Sequence, residues 1–296
     1  MITIIGAITG EIIGSFDGQP MADHNPGTID ISYSGTGRNI AENLGRMGSD
    51  VAFISATGND FAGRSAKREL GELSINTEYL CLVDGQNTAM NVQLLNMVGD
   101  LEMDIRNQDV FAFIDKKVVD SGKSVIDNSD MIAIDGNLSE EVIKYIVQTV
   151  DKPLFFDPTS TEGAKKAKDI IGKFHTIKPN REEAEALFGS EILSEDQLMA
   201  AGQWFSDQGV KRIFITMSGG GVYYREGITA GIIRPENILS FENQIGAGDG
   251  FSAALLDGYT KGMDVESLAK YGMAASAVAM EIRNAVNPRM STAEFK

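Results

Sequence analysis

The sequence predicts an α/β domain in which helices flank a mainly parallel β-sheet. Short β-branched or aromatic runs alternate with amphipathic stretches, which is the pattern of repeated strand–helix units. The composition agrees, since 43% of the 296 residues are hydrophobic and 32 are glycine, as expected for a globular chain with a large core. No internal repeat or low-complexity linker divides the sequence, so we predict one domain over residues 1–296.

Strands and helices are predicted in alternation along the chain. Apolar runs predict buried strands at residues 2–7, 51–56, 131–134, 153–156, 175–177 and 213–217. Amphipathic runs predict helices at residues 38–47, 62–73, 139–150, 181–188, 195–208, 248–261 and 265–283. The first two helices follow the spacing of parallel βαβ units.

Two regions, residues 10–35 and 80–106, interrupt this alternation. Within the second, residues 88–96 alternate apolar and polar side chains before a turn at residues 98–101, which predicts a hairpin. Strands exposed on one face beside a parallel core suit a lid over a cleft or a contact between subunits. An antiparallel edge of the main sheet accounts for the same pattern.

The charge balance limits the partners of this chain. Its net charge of −16 and pI of about 4.6 repel nucleic-acid polymers and anionic membranes over most of the surface. Cys81 is the only cysteine, which excludes an intrachain disulfide and a thiolate metal cluster. The N-terminus lacks a signal-peptide pattern and no run reaches about 18 apolar residues, so we expect a cytoplasmic protein.

The strongest local motif is a small-residue turn followed by an apolar helix. Gly246, Ala247 and Gly248 would expose successive N–H groups at the helix start, where the helix dipole also favours anions. This turn suits a transferring phosphoryl group, and Asp249 is then placed to accept the proton of an attacking hydroxyl. An ordinary aspartate cap after a glycine turn explains the pattern equally well.

A second motif follows the strand at residues 175–177. Asn180 and Glu183 are the predicted N-cap and N3 residues of the next helix, so their oxygens share one side of its first turn. This arrangement suits a hydrated Mg²⁺, which needs few protein ligands. The alternative is a capping box with a solvated acidic face.

Two glycine-rich segments complete the set of candidates. The glycines of the first segment would let a nucleotide approach closely, or the segment forms a plain hairpin turn. The glycines of the second segment could bring the backbone against a substrate. The first contains Thr216, Ser218, Gly219 and Gly221, and the second contains Gly35, Thr36, Gly37 and Asn39. Asn39 adds both a donor and an acceptor.

Several other enzyme classes lack their defining residues. Ile40 stands where the dinucleotide-binding fingerprint requires glycine, and Lys117 stands where a P-loop around residues 122–124 requires one. His24 and His175 are the only histidines, and neither a zinc-protease helix motif nor a serine nucleophile elbow is present.

Taken in order, these motifs resemble the ribokinase-like (PfkB) family of carbohydrate and nucleoside kinases. The resemblance implies a three-layer α/β/α domain with a small β-sheet lid, and ATP-dependent phosphorylation of a hydroxyl group. Further segments resemble the members that act on pseudouridine and favour its 5′-hydroxyl as the acceptor. They span residues 24–29, 37–44, 157–160, 175–185, 219–224 and 287–291. Another nucleoside such as adenosine, a free sugar such as ribose, and a nucleoside-binding regulator without turnover remain as alternatives.

The same resemblance implies a role for each candidate residue. Asp249 would be the catalytic base, and the amides of Gly246, Ala247 and Gly248 would form the anion hole. Asn180 and Glu183 would organise Mg²⁺ through water. The implied nucleotide-binding set is Asn180, Thr216, Ser218, Gly219 and Gly221, and the implied substrate-binding set is Glu11, Gly35, Thr36, Gly37, Asn39 and Asp249.

Three residues depart from the family pattern. Glu11 stands where the family usually has aspartate after the first strand, and Ser34 replaces the first glycine of a Gly-Gly pair. Asn243 stands where many members have aspartate, which bears on whether a monovalent cation is also bound. The resemblance further implies a homodimer formed through the lid.

Overall fold

Two β-sheets, with helices around the larger one, make up most of the described chain. A computed structural model describes residues 1–16, 24–96, 98–217, 219, 221–235, 245–282 and 284–295. The strands are β1 (Ile2–Ile5), β2 (Thr9–Phe16), β3 (Gly27–Ser34), β4 (Val51–Gly58), β5 (Leu80–Val83), β6 (Met90–Leu95), β7 (Leu101–Asn107), β8 (Met131–Asp135), β9 (Leu154–Asp157), β10 (Thr176–Ile177), β11 (Arg212–Met217), β12 (Gly221–Glu226) and β13 (Thr229–Ile233).

Helices occur between most strands of the larger sheet. They are α1 (Thr36–Arg46), α2 (Phe61–Glu72), α3 (Lys116–Ser121), α4 (Lys123–Asn128), α5 (Glu140–Thr149), α6 (Thr161–Ala167), α7 (Arg181–Phe188), α8 (Glu195–Gln208), α9 (Ala247–Thr260) and α10 (Val265–Ala279). Within the described ranges, none of them has the length and apolarity needed to cross a membrane.

Within the described part of the chain, the large sheet has nine strands in the order β13-β12-β11-β10-β9-β8-β1-β4-β5. All neighbours from β11 to β5 are parallel, and only β12 and β13 pair antiparallel. Ile5 and Phe156 pack with α3 to α8 on one face, whereas Ile4 and Phe155 pack with α1, α2, α9 and α10 on the other. Because consecutive strand residues point to opposite faces, the predicted three-layer arrangement results.

The small sheet has four strands in the order β3-β2-β6-β7. The predicted hairpin is confirmed, since β6 and β7 pair antiparallel and the N–H of Asn96 donates to the carbonyl of Asp100 at 2.9 Å across the turn. The hairpin lies in this separate sheet, not at an edge of the large one. Part of the predicted 80–106 region behaves differently, because β5 pairs with β4 at the large-sheet edge.

Candidate active site

The carboxyl ends of the central parallel strands form the floor of the site. Asp135 and Asp157 end β8 and β9 and lie opposite each other in register, and Lys178 follows β10 directly. Parallel α/β sheets bind their ligands at this edge. The structure therefore gathers ionisable side chains where a substrate is expected.

Asp249 lies at the start of α9, above that floor. Gly246 precedes the helix with φ 77°, and a Cβ added to it would lie 1.8 Å from the carbonyl oxygen of Ala285. Only glycine therefore fits this turn. Among the described residues, no side chain caps the helix and Gly246 is its N-cap, so Asp249 is not the cap. Instead, its Oδ2 accepts a hydrogen bond from Asn39 Nδ2 at 2.8 Å.

The surroundings of Asp249 favour its protonated form. Burial, followed by the charge of Asp157, raises the pKa of Asp249 to about 7, while Asn39 and Lys178 act in the opposite direction. A carboxyl group with a pKa near neutrality is well matched to accept a proton from a hydroxyl group. The same perturbation is typical of functional sites.

A buried ion pair lies beside this carboxyl group. Lys178 Nζ is 3.0 Å from Asp157 Oδ2, and both side chains are almost completely buried. Ser252 of α9 donates its hydroxyl to the same Asp157 oxygen at 2.7 Å, and Lys178 also contacts the carbonyl of Gly248 at 3.4 Å. The pair thus connects two strand ends to the first turns of α9.

Asn180 and Glu183 form a capping box at the start of α7. Glu183 N–H donates to Asn180 Oδ1 at 2.9 Å, and Asn180 N–H donates to Glu183 Oε2 at 2.8 Å. Whereas the neighbouring Glu182 is exposed, Glu183 itself is not solvated, because it is only 4% exposed. Its burial, together with Asp157, raises the pKa of the Glu183 carboxyl to about 7.

A divalent cation fits this corner only with help from other ligands. In the parts of the chain that the structure describes, no cluster of three or more metal-binding side chains is arranged to hold an ion by itself. The capping box uses only one Glu183 oxygen, and the surrounding carboxyl groups supply the oxygen chemistry that Mg²⁺ prefers. Phosphate oxygens and water would complete such a site, as Mg²⁺ chemistry requires.

The start of α1 is fastened to the floor of the site. Asp135 Oδ2 accepts the N–H groups of Ala7 and Gly37, both at 2.8 Å, and burial raises the pKa of Asp135 to about 6. Gly35 precedes the helix with φ 99°, and Thr36 is the first helical residue. These contacts place Asn39 against Asp249.

Glu11 links the small sheet to the same place. Burial raises the pKa of its carboxyl group, while the neighbouring side chains of Ser34 and Asn91 act in the opposite direction. Ser34 Oγ accepts from Asn39 Nδ2 at 3.2 Å, and that amide also reaches Asp249. A chain of polar side chains in contact therefore runs from the small sheet to Asp249.

The segment after β11 lies next to the capping box. Thr216 N–H donates to the carbonyl of Pro179 at 3.0 Å, and β11 and β12 form an antiparallel hairpin. Gly219 and Gly221 have φ angles of 64° and 90°, so the hairpin alternative is confirmed, while contact with a nucleotide stays a prediction. Ser218 and Asn243 lie outside the described residues.

Nearly the whole chain matches one known protein family. The model of the pfkB family carbohydrate kinases matches residues 1–293. The chain belongs to the pfkB family of carbohydrate kinases. It is therefore a kinase of the sugar or nucleoside type, which phosphorylates a hydroxyl group.

Individual relatives of this kinase are similar over nearly the whole chain. Pseudouridine kinase of Escherichia coli is 30% identical, covering 99% of this chain and 94% of that protein. Guanosine-inosine kinase of Exiguobacterium acetylicum is 28% identical, covering 98% and 97%. An Escherichia coli protein described as a ribokinase II and crystallised with ATP and Mg²⁺ has a TM-score of 0.86 at 20% identity, covering 99% and 97%. The ribokinase-like fold predicted from the sequence is confirmed.

Sequence reasoning did not assign a role to three residues of this site. Asp135, Asp157 and Lys178 follow or end buried strands, and Asp157 and Lys178 also lie in segments that carry the family resemblance. A charged residue at the carboxyl end of an apolar strand is a candidate for a site at that edge. The kinase also brings together the predicted residues Asn39, Asp249 and Glu11 through the contacts above.

Proposed function

We propose that this kinase transfers the γ-phosphoryl group of ATP to the 5′-hydroxyl of pseudouridine, giving pseudouridine 5′-phosphate and ADP. The similarity to the pseudouridine kinase of Escherichia coli supports this choice. The observation that carries the proposal is the polar face of the small sheet that contains Glu11. This face has two buried oxygens, on Asn91 and Asp104, without a hydrogen-bond partner among the described residues.

This chain of polar side chains suggests the order in which the parts of a nucleoside would lie. Asp249 is at one end, Asn39 and Ser34 follow, and Glu11 leads to the small sheet. A nucleoside whose 5′-hydroxyl meets Asp249 would therefore lay its ribose along Asn39 and Glu11. Its base would then face the small sheet.

One face of the small sheet is strongly polar. Glu11 lies opposite Asn91 on the neighbouring strand, and Asn91 and Gln93 lie opposite Arg106 and Asp104 on the next. Alternation along each strand places all five side chains on one face. Asn91 Oδ1 and Asp104 Oδ1 are shielded from solvent and have no hydrogen-bond partner among the described residues.

These acceptors match a feature that separates pseudouridine from uridine. The base of pseudouridine is joined to ribose through a carbon atom, so both of its ring nitrogens carry a hydrogen, one on each side of a carbonyl group. The base of uridine has only one such N–H donor. The two unpaired oxygens of Asn91 and Asp104 would accept these donors, and the Arg106 guanidinium beside them would donate to the carbonyl. Buried acceptors without a donor cost free energy, so such a face rejects a base that leaves them unpaired.

The chemistry assigned to the site is an in-line transfer. Asp249 accepts the proton of the 5′-hydroxyl, and the N–H groups at the start of α9 stabilise the charge on the transferred group. Asn180 and Glu183 would hold Mg²⁺ through water, and the ion would neutralise phosphate charge when it is bound with ATP. Closure of the small sheet as a lid would exclude water as a competing acceptor.

The decisive experiment is a comparison of acceptors. Phosphorylated product is measured with Mg²⁺ and ATP for pseudouridine, uridine, guanosine, inosine, adenosine, ribose and fructose, and kcat/KM is compared. Preference for pseudouridine over uridine supports the proposal. Preference for another acceptor would replace pseudouridine while keeping the kinase mechanism, and binding of a nucleoside without turnover would favour the regulator. Repeating the assay with and without K⁺ tests for a monovalent cation.

We also infer a homodimer formed through the other face of the small sheet. Ile29 and Ile31 on β3 are 72% and 71% exposed, and Met103 and Ile105 on β7 are 51% and 57% exposed. Alternation places these side chains on the face opposite Glu11. A continuous apolar patch on a sheet is typical of an interface between proteins, and a second copy of this chain is the partner that supplies a matching patch.

A further inference from the structure

Lys178 has no part in the reaction described above, although its ammonium group lies within the site. It is buried, with a 6% exposed side chain, between Asp157 and the first turn of α9. A Cβ added to Gly248 would lie 3.2 Å from its Nζ, so this ammonium group packs directly beneath the turn that contains the anion-binding N–H groups. Burying a charged lysine costs folding free energy, which suggests that the charge of Lys178 has a role at this place.

The contact with Gly248 has a directional consequence. The carbonyl of Gly248 and the N–H of Asp249 belong to the same planar peptide group and point in opposite directions. Fixing the carbonyl from below therefore also fixes the N–H that points out of the helix start. A cation on the carbonyl further polarises the peptide, which makes that N–H a better donor to a phosphoryl oxygen.

The charges around Lys178 are strongly unbalanced. Four carboxyl groups lie around Lys178 and Asp249, those of Asp135, Asp157, Glu183 and Asp249 itself. Within the described residues, Lys178 is the cation that acts on Asp249. The groups that influence Asp249 are Asp157 at the end of β9, Asp135 at the end of β8, Asn39 on α1 and Lys178 after β10. Asp157, Glu183 and Asp249 are the carboxyl groups whose charges act on Lys178.

We propose that Lys178 is a positioning residue for phosphoryl transfer: it fixes the start of α9 through the Gly248 carbonyl and opposes the negative charge around Asp249. This inference deepens the proposed function, because it rests on placing the transferred phosphoryl group at the start of α9. It does not depend on which hydroxyl compound is the acceptor. Lys178 acts through Gly248 and Asp249 and need not touch the substrate itself.

The test removes the lysine in a background that tolerates its loss. Lys178→Met alone would leave the Asp157 carboxylate buried without a cation, which can unfold a protein. Asp157→Asn keeps an oxygen for the Ser252 hydroxyl and removes that problem. The comparison is therefore between Asp157→Asn and the double variant Asp157→Asn, Lys178→Met, assayed with the best acceptor of the wild-type enzyme.

The two variants should differ in turnover and not in folding. We expect kcat of the double variant to be about 10²-fold below that of Asp157→Asn, with similar Tm and little change in the acceptor KM. Equal kcat values in the two variants would overturn the proposal. Lys261→Met is the matched control, because it breaks a lysine–aspartate pair with Asp257 at the other end of α9 and should leave kcat unchanged.

A measurement without substrate separates this inference from the proposed function. The Asp249 carboxyl is titrated by ¹³C NMR in both variants and assigned with Asp249→Asn. Loss of the neighbouring cation should raise the pKa of Asp249 in the double variant relative to Asp157→Asn. Identical titration curves would overturn the role of Lys178, whereas failure of wild-type enzyme on every acceptor would overturn only the proposed function.

Discussion

The surroundings of Asp249, the proposed base, set the pKa of its carboxyl group. Burial and Asp157 raise its pKa to about 7, and the Asn39 amide moderates this by donating a hydrogen bond to the carboxylate. A base of this kind is half ionised near neutral pH and retains a strong tendency to take up a proton. Its protonation state should therefore control the rate in the physiological range.

The pH dependence of the reaction tests this control. Since only the carboxylate can accept the proton, kcat/KM should rise with pH and level off above about pH 7, the pKa of Asp249. Asn39→Ala removes the hydrogen bond that favours the carboxylate, so the acidic limb should move to higher pH while kcat falls. An acidic limb near pH 4, the ordinary range of a carboxyl group, would contradict this account.

The site residues differ in how far the sequence could identify them. Asp249, Asn39, Asn180 and Glu183 lie in short motifs whose helix-start positions follow from local rules. The ion pair between Lys178 and Asp157 could not be predicted from such local rules. The other contact of Asp157, from Ser252, spans 95 positions in the sequence, and only the strand order brings such residues together.

The helix start at α9 depends on one glycine. Gly246→Ala should lower both Tm and kcat, because the left-handed φ costs about 1–2 kcal/mol for a residue with a side chain and the new methyl group would collide with the Ala285 carbonyl. Thermal unfolding and steady-state kinetics measure the two effects. Gly262→Ala is the matched control: it has φ 70° and open space around the added Cβ, so Tm should fall modestly and kcat should not change. Equal loss of kcat in both variants would argue against the anion-hole role.

The polar face of the small sheet should set the choice of base. Asp104→Ala removes one unpaired acceptor and should lower the preference for pseudouridine over uridine by roughly tenfold, as expected for one lost hydrogen bond. The ratio of the two kcat/KM values measures this preference. Glu102 on the same strand accepts a hydrogen bond from Asn96 at the hairpin turn. Glu102→Ala is therefore the control and should keep the ratio. A ratio unaffected by Asp104→Ala would remove this face from base recognition.

Elements of the small sheet were the least predictable part of the fold. The regular alternation of side chains predicts the hairpin of β6 and β7, whereas no such alternation marks β2 and β3 in the sequence. For β3 the reason is exposure: it is exposed over Gly27–Ser34 except near its end, so no buried face imposes a pattern. The short helices α3, α4 and α6 have seven residues or fewer, which is too short for a clear helical period, and α10 ends at Ala279, before the predicted residue 283.

The whole molecule should be a dimer if the apolar face of the small sheet is an interface. Ile31→Lys combined with Ile105→Lys places a charge on each outer strand of that face and should yield monomers, measured by sedimentation equilibrium. Ile228→Lys is the control, because Ile228 is fully exposed on the turn between β12 and β13 and should leave the mass unchanged. Wild-type enzyme that sediments as a monomer at micromolar concentration would contradict the inferred dimer.

Catalytic power and stability should oppose each other in this kinase. The pKa of Asp249 is raised from 3.8 to about 7 in the folded protein, so the native state holds this proton more tightly than the unfolded chain does. By linkage, wild-type stability falls as pH rises through that interval. Asp249→Asn cannot ionise and avoids this loss.

Asp249→Asn should therefore abolish turnover while raising Tm at pH 8, and the gain in Tm should shrink towards pH 5. Asp264→Asn provides the opposite case, because the backbone N–H of Ser267 lowers the pKa of that exposed helix cap, and its carboxylate stabilises the fold at pH 8. Its Tm should fall slightly at pH 8, and turnover should be unaffected. A lower Tm for Asp249→Asn at pH 8, like that expected for Asp264→Asn, would mean that the Asp249 carboxylate stabilises the fold. The pKa of Asp249 would then not be raised, and its assignment as a base near neutral pH would be wrong.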